Sequence, residues 1–150
     1  MFESLQSIFL DYGYLGLFIA SFLASTILPF GSEGILIYLV YKKFNIPALV
    51  LIASVGNFLG ACTSFYIGLK GRAFVDKYFN IGAEKLERAE KYLVKYGYYM
   101  LLFTWIPVVG DLFTVAGGLM RFRFWIFSIF VFTGKFLRYL AVAYITASLI

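Results

Sequence analysis

Four long stretches of the chain are almost free of charge, and one stretch is polar. Residues 12–32 and 44–69 carry no charge, residues 96–120 carry only Asp111, and residues 124–150 carry only Lys135 and Arg138. About 20 apolar residues rising 1.5 Å each cross a hydrocarbon core of roughly 30 Å, so each stretch is long enough to span a membrane. Between them, residues 70–95 hold seven Lys and Arg: Lys70, Arg72, Lys77, Lys85, Arg88, Lys91 and Lys95. Within this polar stretch the spacing of Leu86, Leu93 and Tyr96 predicts an amphipathic helix over 83–96. The i,i+4 pairs Glu84/Arg88 and Glu87/Lys91 support it. A basic segment of this kind is expected on the cytoplasmic side, lying on anionic headgroups.

Composition agrees with the pattern. Apolar residues make up 62% and charged residues 14% of the 150 residues, against about 45–50% and 25% in soluble domains. A soluble globule of this size has no means of hiding that much apolar surface, which excludes a soluble enzyme and a disordered chain. A single cysteine, Cys62, excludes an intrachain disulfide and a thiolate metal cluster, and the absence of His excludes a Ser-His-Asp triad. No P-loop, dinucleotide fingerprint or metal-ligand set is present, so no enzyme activity, metal or cofactor is expected. The basic stretch is short and mixed in charge, and no nucleic acid is expected as a partner.

Two of the apolar stretches are broken in the same way. Leu28-Pro29-Phe30-Gly31-Ser32-Glu33 and Ile106-Pro107-Val108-Val109-Gly110-Asp111 each hold a Pro, then a Gly, then a carboxylate four residues after the Pro. Sliding the sequence by 78 puts Pro29 on Pro107, Glu33 on Asp111, Gly56 on Gly134, Asn57 on Lys135 and Tyr66 on Tyr144. The chain is therefore expected to be one membrane domain over 1–150 with an internal repeat. Repeat 1 covers about 14–69, the amphipathic basic linker 70–96, and repeat 2 about 97–150.

A Pro-Gly break frees backbone groups that lipid cannot satisfy, so it is tolerated only against protein or a watery cavity. Each broken segment is expected to be a re-entrant hairpin with the acid at its tip, followed by one full span. A hairpin returns to its own side, so each repeat crosses once and the two repeats are inverted, as in many transporters. The fold class expected is an all-α integral membrane protein built as an inverted repeat of re-entrant hairpin plus transmembrane helix. Both termini are expected outside, with residues 70–95 inside.

Five polar side chains interrupt the apolar stretches: Glu33, Asn57, Asp111, Lys135 and Arg138. Ionisable residues at membrane depth are functional candidates by default. Lys135 and Arg138 share a helix face and are assigned to an anionic headgroup. Glu33, with no cation nearby in sequence, is expected to exchange protons, and Asp111 to be the fixed counter-charge of the two cations. Gly56, Gly60, Ser64 and Gly68, at intervals of four, are expected to form a helix-packing face.

These residues resemble the DedA family, also called the SNARE-associated or VTT-domain superfamily, and its small YqaA-like branch in particular. The resemblance rests on Ile27-Leu28-Pro29-Phe30-Gly31-Ser32-Glu33, Gly56-Asn57 with Gly60, and Tyr66-Ile67-Gly68 in the first half. In the second half it rests on Trp105-Ile106-Pro107-Val108-Val109-Gly110-Asp111, Ala116-Gly117-Gly118, and Gly134-Lys135 with Arg138-Tyr139. It implies two opposed re-entrant segments, movement of lipids between leaflets as in several members, and an association with the proton-motive force. Its main branch carries an Arg-Phe-x-Pro-x-x-Arg pattern, whose two arginines fall here on Thr104 and Gly110. Lys135 and Arg138 are left to supply the cations.

The function expected is a transporter or lipid scramblase for an amphiphile with an anionic headgroup, possible proton coupling included. The alternative is a non-transporting membrane scaffold whose intramembrane charges are structural. Anionic membrane lipids are the expected partners, with a homo-oligomer open, and a bacterial or archaeal inner membrane is the expected location.

Overall fold

The computed structural model describes residues 2–25, 31–78, 82–106 and 109–150. Among them every regular element is helical: α1 (Phe2–Ala24), α2 (Gly31–Tyr41), α3 (Ile46–Leu69), α4 (Arg72–Tyr78), α5 (Ala83–Tyr96), a 3-10 segment (Gly97–Trp105), α6 (Val109–Leu119) and α7 (Phe124–Leu149). Among the described residues, α3 and α7 are long and apolar enough to cross a bilayer, and Tyr12–Ala24 and α6 are shorter apolar helices. Asn45 caps α3 through the Ala48 amide at 3.0 Å, and Pro47 occupies its first turn.

The elements repeat. Moved on by 78, the bounds of α2 land on those of α6, and the start of α3 on that of α7. The turns repeat too. Lys43 (φ 65°) and Arg121 (φ 57°) are the left-handed residues ending α2 and α6. After them, Phe44 N–H donates to the Leu39 carbonyl and Phe122 N–H to that of Gly117, at 3.1 and 3.0 Å. Phe44 packs on Tyr14 and Phe122 on Tyr98, with ring centroids 5.2 and 4.5 Å apart.

The first arms of the repeats match at a different spacing. Tyr12-Gly13-Tyr14 corresponds to Tyr96-Gly97-Tyr98, and Leu17 to Leu101, both fully buried. Seventeen positions separate Tyr12 from Pro29 but eleven separate Tyr96 from Pro107, so the second arm is six residues shorter. The 3-10 segment offsets the deficit. Its 9 residues span about 18 Å at 2.0 Å each, close to the roughly 20 Å of the α-helical Tyr12–Ala24 and well beyond the ~14 Å they would span as α-helix.

Helix directions follow from the contacts. Asn57 meets Lys135, Phe58 meets Phe132, Phe65 meets Phe127 and Tyr66 meets Phe124, so α3 and α7 run antiparallel. Gly56 lies against Phe18 and Gly60 against Phe22, so α1 runs parallel to α3. In the same way Tyr98 meets Phe130 and Leu102 meets Gly134, so the 3-10 segment runs parallel to α7. Each short helix packs on the long helix of the other repeat, α2 on α7 and α6 on α3. Two cores result, one around Leu17, Leu49, Ala53, Tyr139 and Ala143, the other around Leu101, Phe127, Val131, Ala61 and Phe65. These ten are five pairs of repeat-equivalent positions.

The amphipathic helix is present over the predicted residues, but its surroundings differ from the expectation. Leu86, Ala89 and Leu93 are buried in the core beside α6. Its apolar face is therefore occupied by protein and is not free to rest on headgroups. Lys85, Arg88, Lys91 and Lys95 point outward.

Candidate functional site

In lipid, apolar burial gives helices little drive to associate, so close packing and interhelical hydrogen bonds do that work. The face of α3 does both. A Cβ on Gly56 would lie 2.7 Å from the Phe18 carbonyl oxygen, and one on Gly60 would collide with that of Phe22. Gly68 rests on Gly118 of α6, where a Cβ on either would strike the other's Cα at 3.0 Å. Between them, Asn57 Nδ2 donates to the Ser21 carbonyl at 2.9 Å, and Ser64 Oγ to the Ser25 carbonyl at 3.2 Å. Both acceptors lie at the end of α1, where carbonyls lose their intrahelical partners. The end of a broken helix is thus satisfied by side chains of the long helix beside it.

The charges gather around the α3–α7 crossing. Lys135 is buried at 3% exposure and donates to Asn57 Oδ1 at 2.5 Å. One turn on, Arg138 forms an ion pair with Glu33 in the first turn of α2. Asp111, in the first turn of α6, lies within electrostatic reach of Lys135, as does Cys62. Thus α7 supplies both cations, and each short helix supplies one acid. The buried hydroxyls of Ser21 and Ser54 have no hydrogen-bond partner among the described residues and flank Asn57 along α1 and α3. No cluster of potential metal ligands exists among the described residues.

One expectation is corrected. Arg138 pairs with Glu33, not with Asp111. The reason is tertiary: α2 packs across the repeats on α7, so the cation far away in sequence is the near one in space. Lys135 keeps Asp111 within reach. Of the residues marking the breaks, Gly31 opens α2 and Gly110 lies in the first turn of α6. Pro29 and Pro107 lie outside the described residues. Gly110 also bears on the second of the two missing arginines. A Cβ there would lie 2.9 Å from the Thr104 Cα and closer still to its carbonyl, so positions 104 and 110 touch and leave no room for a long side chain at 110. Ser21, Ser25 and Ser54 were not singled out from sequence; the signal available for Ser21 and Ser25 was the repeated Tyr-Gly-Tyr, which locates the first arm.

An all-helical chain with two long apolar helices and charged side chains gathered where they cross has the make-up of a helical membrane protein. The chain matches the VTT domain over residues 28–148, and it belongs to the VTT-domain family, consistent with the DedA resemblance. It is 38% identical to the inner membrane protein YqaA of Escherichia coli over 130 residues, 85% of this chain and 86% of that one. It is likewise 38% identical to an uncharacterized protein of Haemophilus influenzae over 138 residues, 87% and 85% of the two chains. The membrane protein YbfM of Bacillus subtilis is 31% identical over 144 residues, 90% and 89%. No solved structure matches the chain. The expected location in a bacterial-type inner membrane agrees with these relatives.

Proposed function

We propose that the protein moves an amphiphile with an anionic, phosphate-type headgroup between leaflets, as a transporter or scramblase, through two inverted re-entrant repeats. The observation that carries this reading is the meeting of charges from both repeats at the α3–α7 crossing. Four charges at membrane depth are costly, and a scaffold needs none of them. The re-entrant topology is supported by the directions of the helices, since α1 and the 3-10 segment each run with the long helix that follows the return of α2 or α6.

In this reading Lys135 and Arg138 hold the headgroup, and Glu33 must leave Arg138 to let it in. Asp111 has a cation in reach but no direct ion pair among the described residues, and it is the acid left to exchange protons. No bond is made or broken in this process, and the protein is not an enzyme. The test is leaflet exchange of a fluorescent anionic phospholipid in proteoliposomes. Wild-type protein should exchange it, and Lys135→Ala and Glu33→Gln, folded by size-exclusion and melting criteria, should be impaired. Wild-type rates in both variants would remove the reading in favour of structural ion pairs.

A further inference from the structure

We infer that the Lys135 ammonium lies on the pseudo-two-fold axis relating the repeats and is the one cation a headgroup meets from either membrane face, with Asn57 as its positioning residue. The inference rests on the transport reading above and adds which charge is common to both faces.

Two positions related by a two-fold axis approach each other only where the axis passes. Asn57 and Lys135 are 78 apart, the repeat offset, and they are bonded at 2.5 Å. The pairing around them has the same symmetry. Ala61 and Phe65 share one core with Val131 and Phe127, and their repeat equivalents, Tyr139, Ala143, Ala53 and Leu49, share the other. The crossing is therefore centred on the Asn57–Lys135 bond.

The repeat placed an amide and an ammonium at the two equivalent positions. Two lysines there would repel at contact distance, and two asparagines would leave no charge. Asn57 is itself held: its Nδ2 donates to the Ser21 carbonyl of α1, which aims Oδ1 at Lys135. Lys offers a compact charge with three donors, so donors remain for a phosphate oxygen after the bond to Asn57. Arg138 is different. Its repeat equivalent is Gly60, which is packed on α1. The Arg138–Glu33 pair is thus off the axis and belongs to the route from one face only.

Two measurements test this. The first uses a Cys62→Ala background, proteoliposomes of known orientation and a charged, impermeant thiol reagent. Asn57→Cys, with Lys135 intact, should label from both faces, and Arg138→Cys from one. Labelling of position 57 from one face, or from neither, overturns the inference. The second exchanges the pair. In vesicles of phosphatidylglycerol and phosphatidylethanolamine carrying fluorescent phosphatidylglycerol, Lys135→Asn should lose about tenfold or more in exchange rate, and Asn57→Lys/Lys135→Asn should return to within about threefold of wild type. The double variant keeps the composition and charge of the wild type, so its folded fraction is the control. A folded but inactive double variant beside an active wild type overturns the inference and leaves the transport reading standing. An inactive wild type overturns the transport reading, and labelling at position 57 then decides the axis by itself.

Discussion

Glu33 and Arg138 form an ion pair that has no counterpart in the other repeat. The equivalent of Glu33 is Asp111, which keeps the charge, but the equivalent of Arg138 is Gly60, which does not. Conserved architecture with unlike charges makes the two halves chemically different. Because α2 packs on α7, removing either partner strands the other at the cross-repeat contact. Glu33→Gln is expected to destabilise the protein by about 1–3 kcal/mol, below the full penalty for a buried pair because Glu33 is 37% exposed. A double-mutant cycle with Arg138→Gln, read by thermal unfolding in detergent, should give a coupling above ~0.5 kcal/mol. Additive single effects would show that the pair contributes nothing to the fold.

The stripe on α3 yields a contrast between glycines. Gly60 abuts the α1 backbone, whereas nothing lies within 4 Å of a Cβ placed on Gly34 of α2. Gly60→Val is expected to cost about 1–3 kcal/mol through overpacking, and Gly34→Val within about 0.5 kcal/mol, as at an open site. Melting temperatures of the two variants in one detergent decide it; equal shifts would mean the close approach is not a determinant of stability.

Lys43 and Arg121 occupy left-handed backbone at equivalent turns. A side chain there costs roughly 1–2 kcal/mol, and replacing it with Gly gives back about 0.4–1 kcal/mol in unfolded-state entropy. Lys43→Gly and Arg121→Gly should each stabilise by about 0.5 kcal/mol. The two effects should be alike because the turns have the same hydrogen bonds. Destabilisation at either site would point to a side-chain contact outweighing the backbone gain.

What could be read from sequence divides along physical lines. The offset of 78 was legible because Pro and carboxylate are rare in the apolar stretches, and a Pro followed by a Gly and then an acid marks a backbone break. The bounds of α5 were legible because a helix with a polar face writes its period into the sequence. The partner of Glu33 was not legible, since α2 docks on the other repeat and no local pattern encodes that docking. The six-residue deficit of the second arm was hidden by its remedy: 3-10 geometry has no sequence signature, and an ungapped comparison at 78 passes over Tyr12-Gly13-Tyr14 and Tyr96-Gly97-Tyr98. The face of α5 was misjudged because lipid headgroups and a protein core ask for the same amphipathic pattern.

The last prediction concerns the termini. In a plain four-span protein the stretches 44–69 and 124–150 are the second and fourth crossings and run in the same direction. Here α3 and α7 run antiparallel, with Asn57, Phe58, Phe65 and Tyr66 meeting Lys135, Phe132, Phe127 and Phe124 in descending order. In the proposed topology the chain between these antiparallel helices, residues 70–123, begins and ends on one side, and α6 returns to the side from which the 3-10 segment entered. The parallel run of α1 with α3 asks the same of the first repeat. The side follows from charge. Residues 70–95 with Arg121 and Arg123 put nine Lys and Arg on one face, against Lys42 and Lys43 on the other, and positive-inside makes the first face cytoplasmic. Both Met1 and Ile150 should then lie outside. Reporters active only outside the cytoplasm, fused at each end, should be active at both, and a reporter inserted near Gly82 should read cytoplasmic. Cytoplasmic readings at both termini would restore the four-span arrangement and overturn the re-entrant repeats.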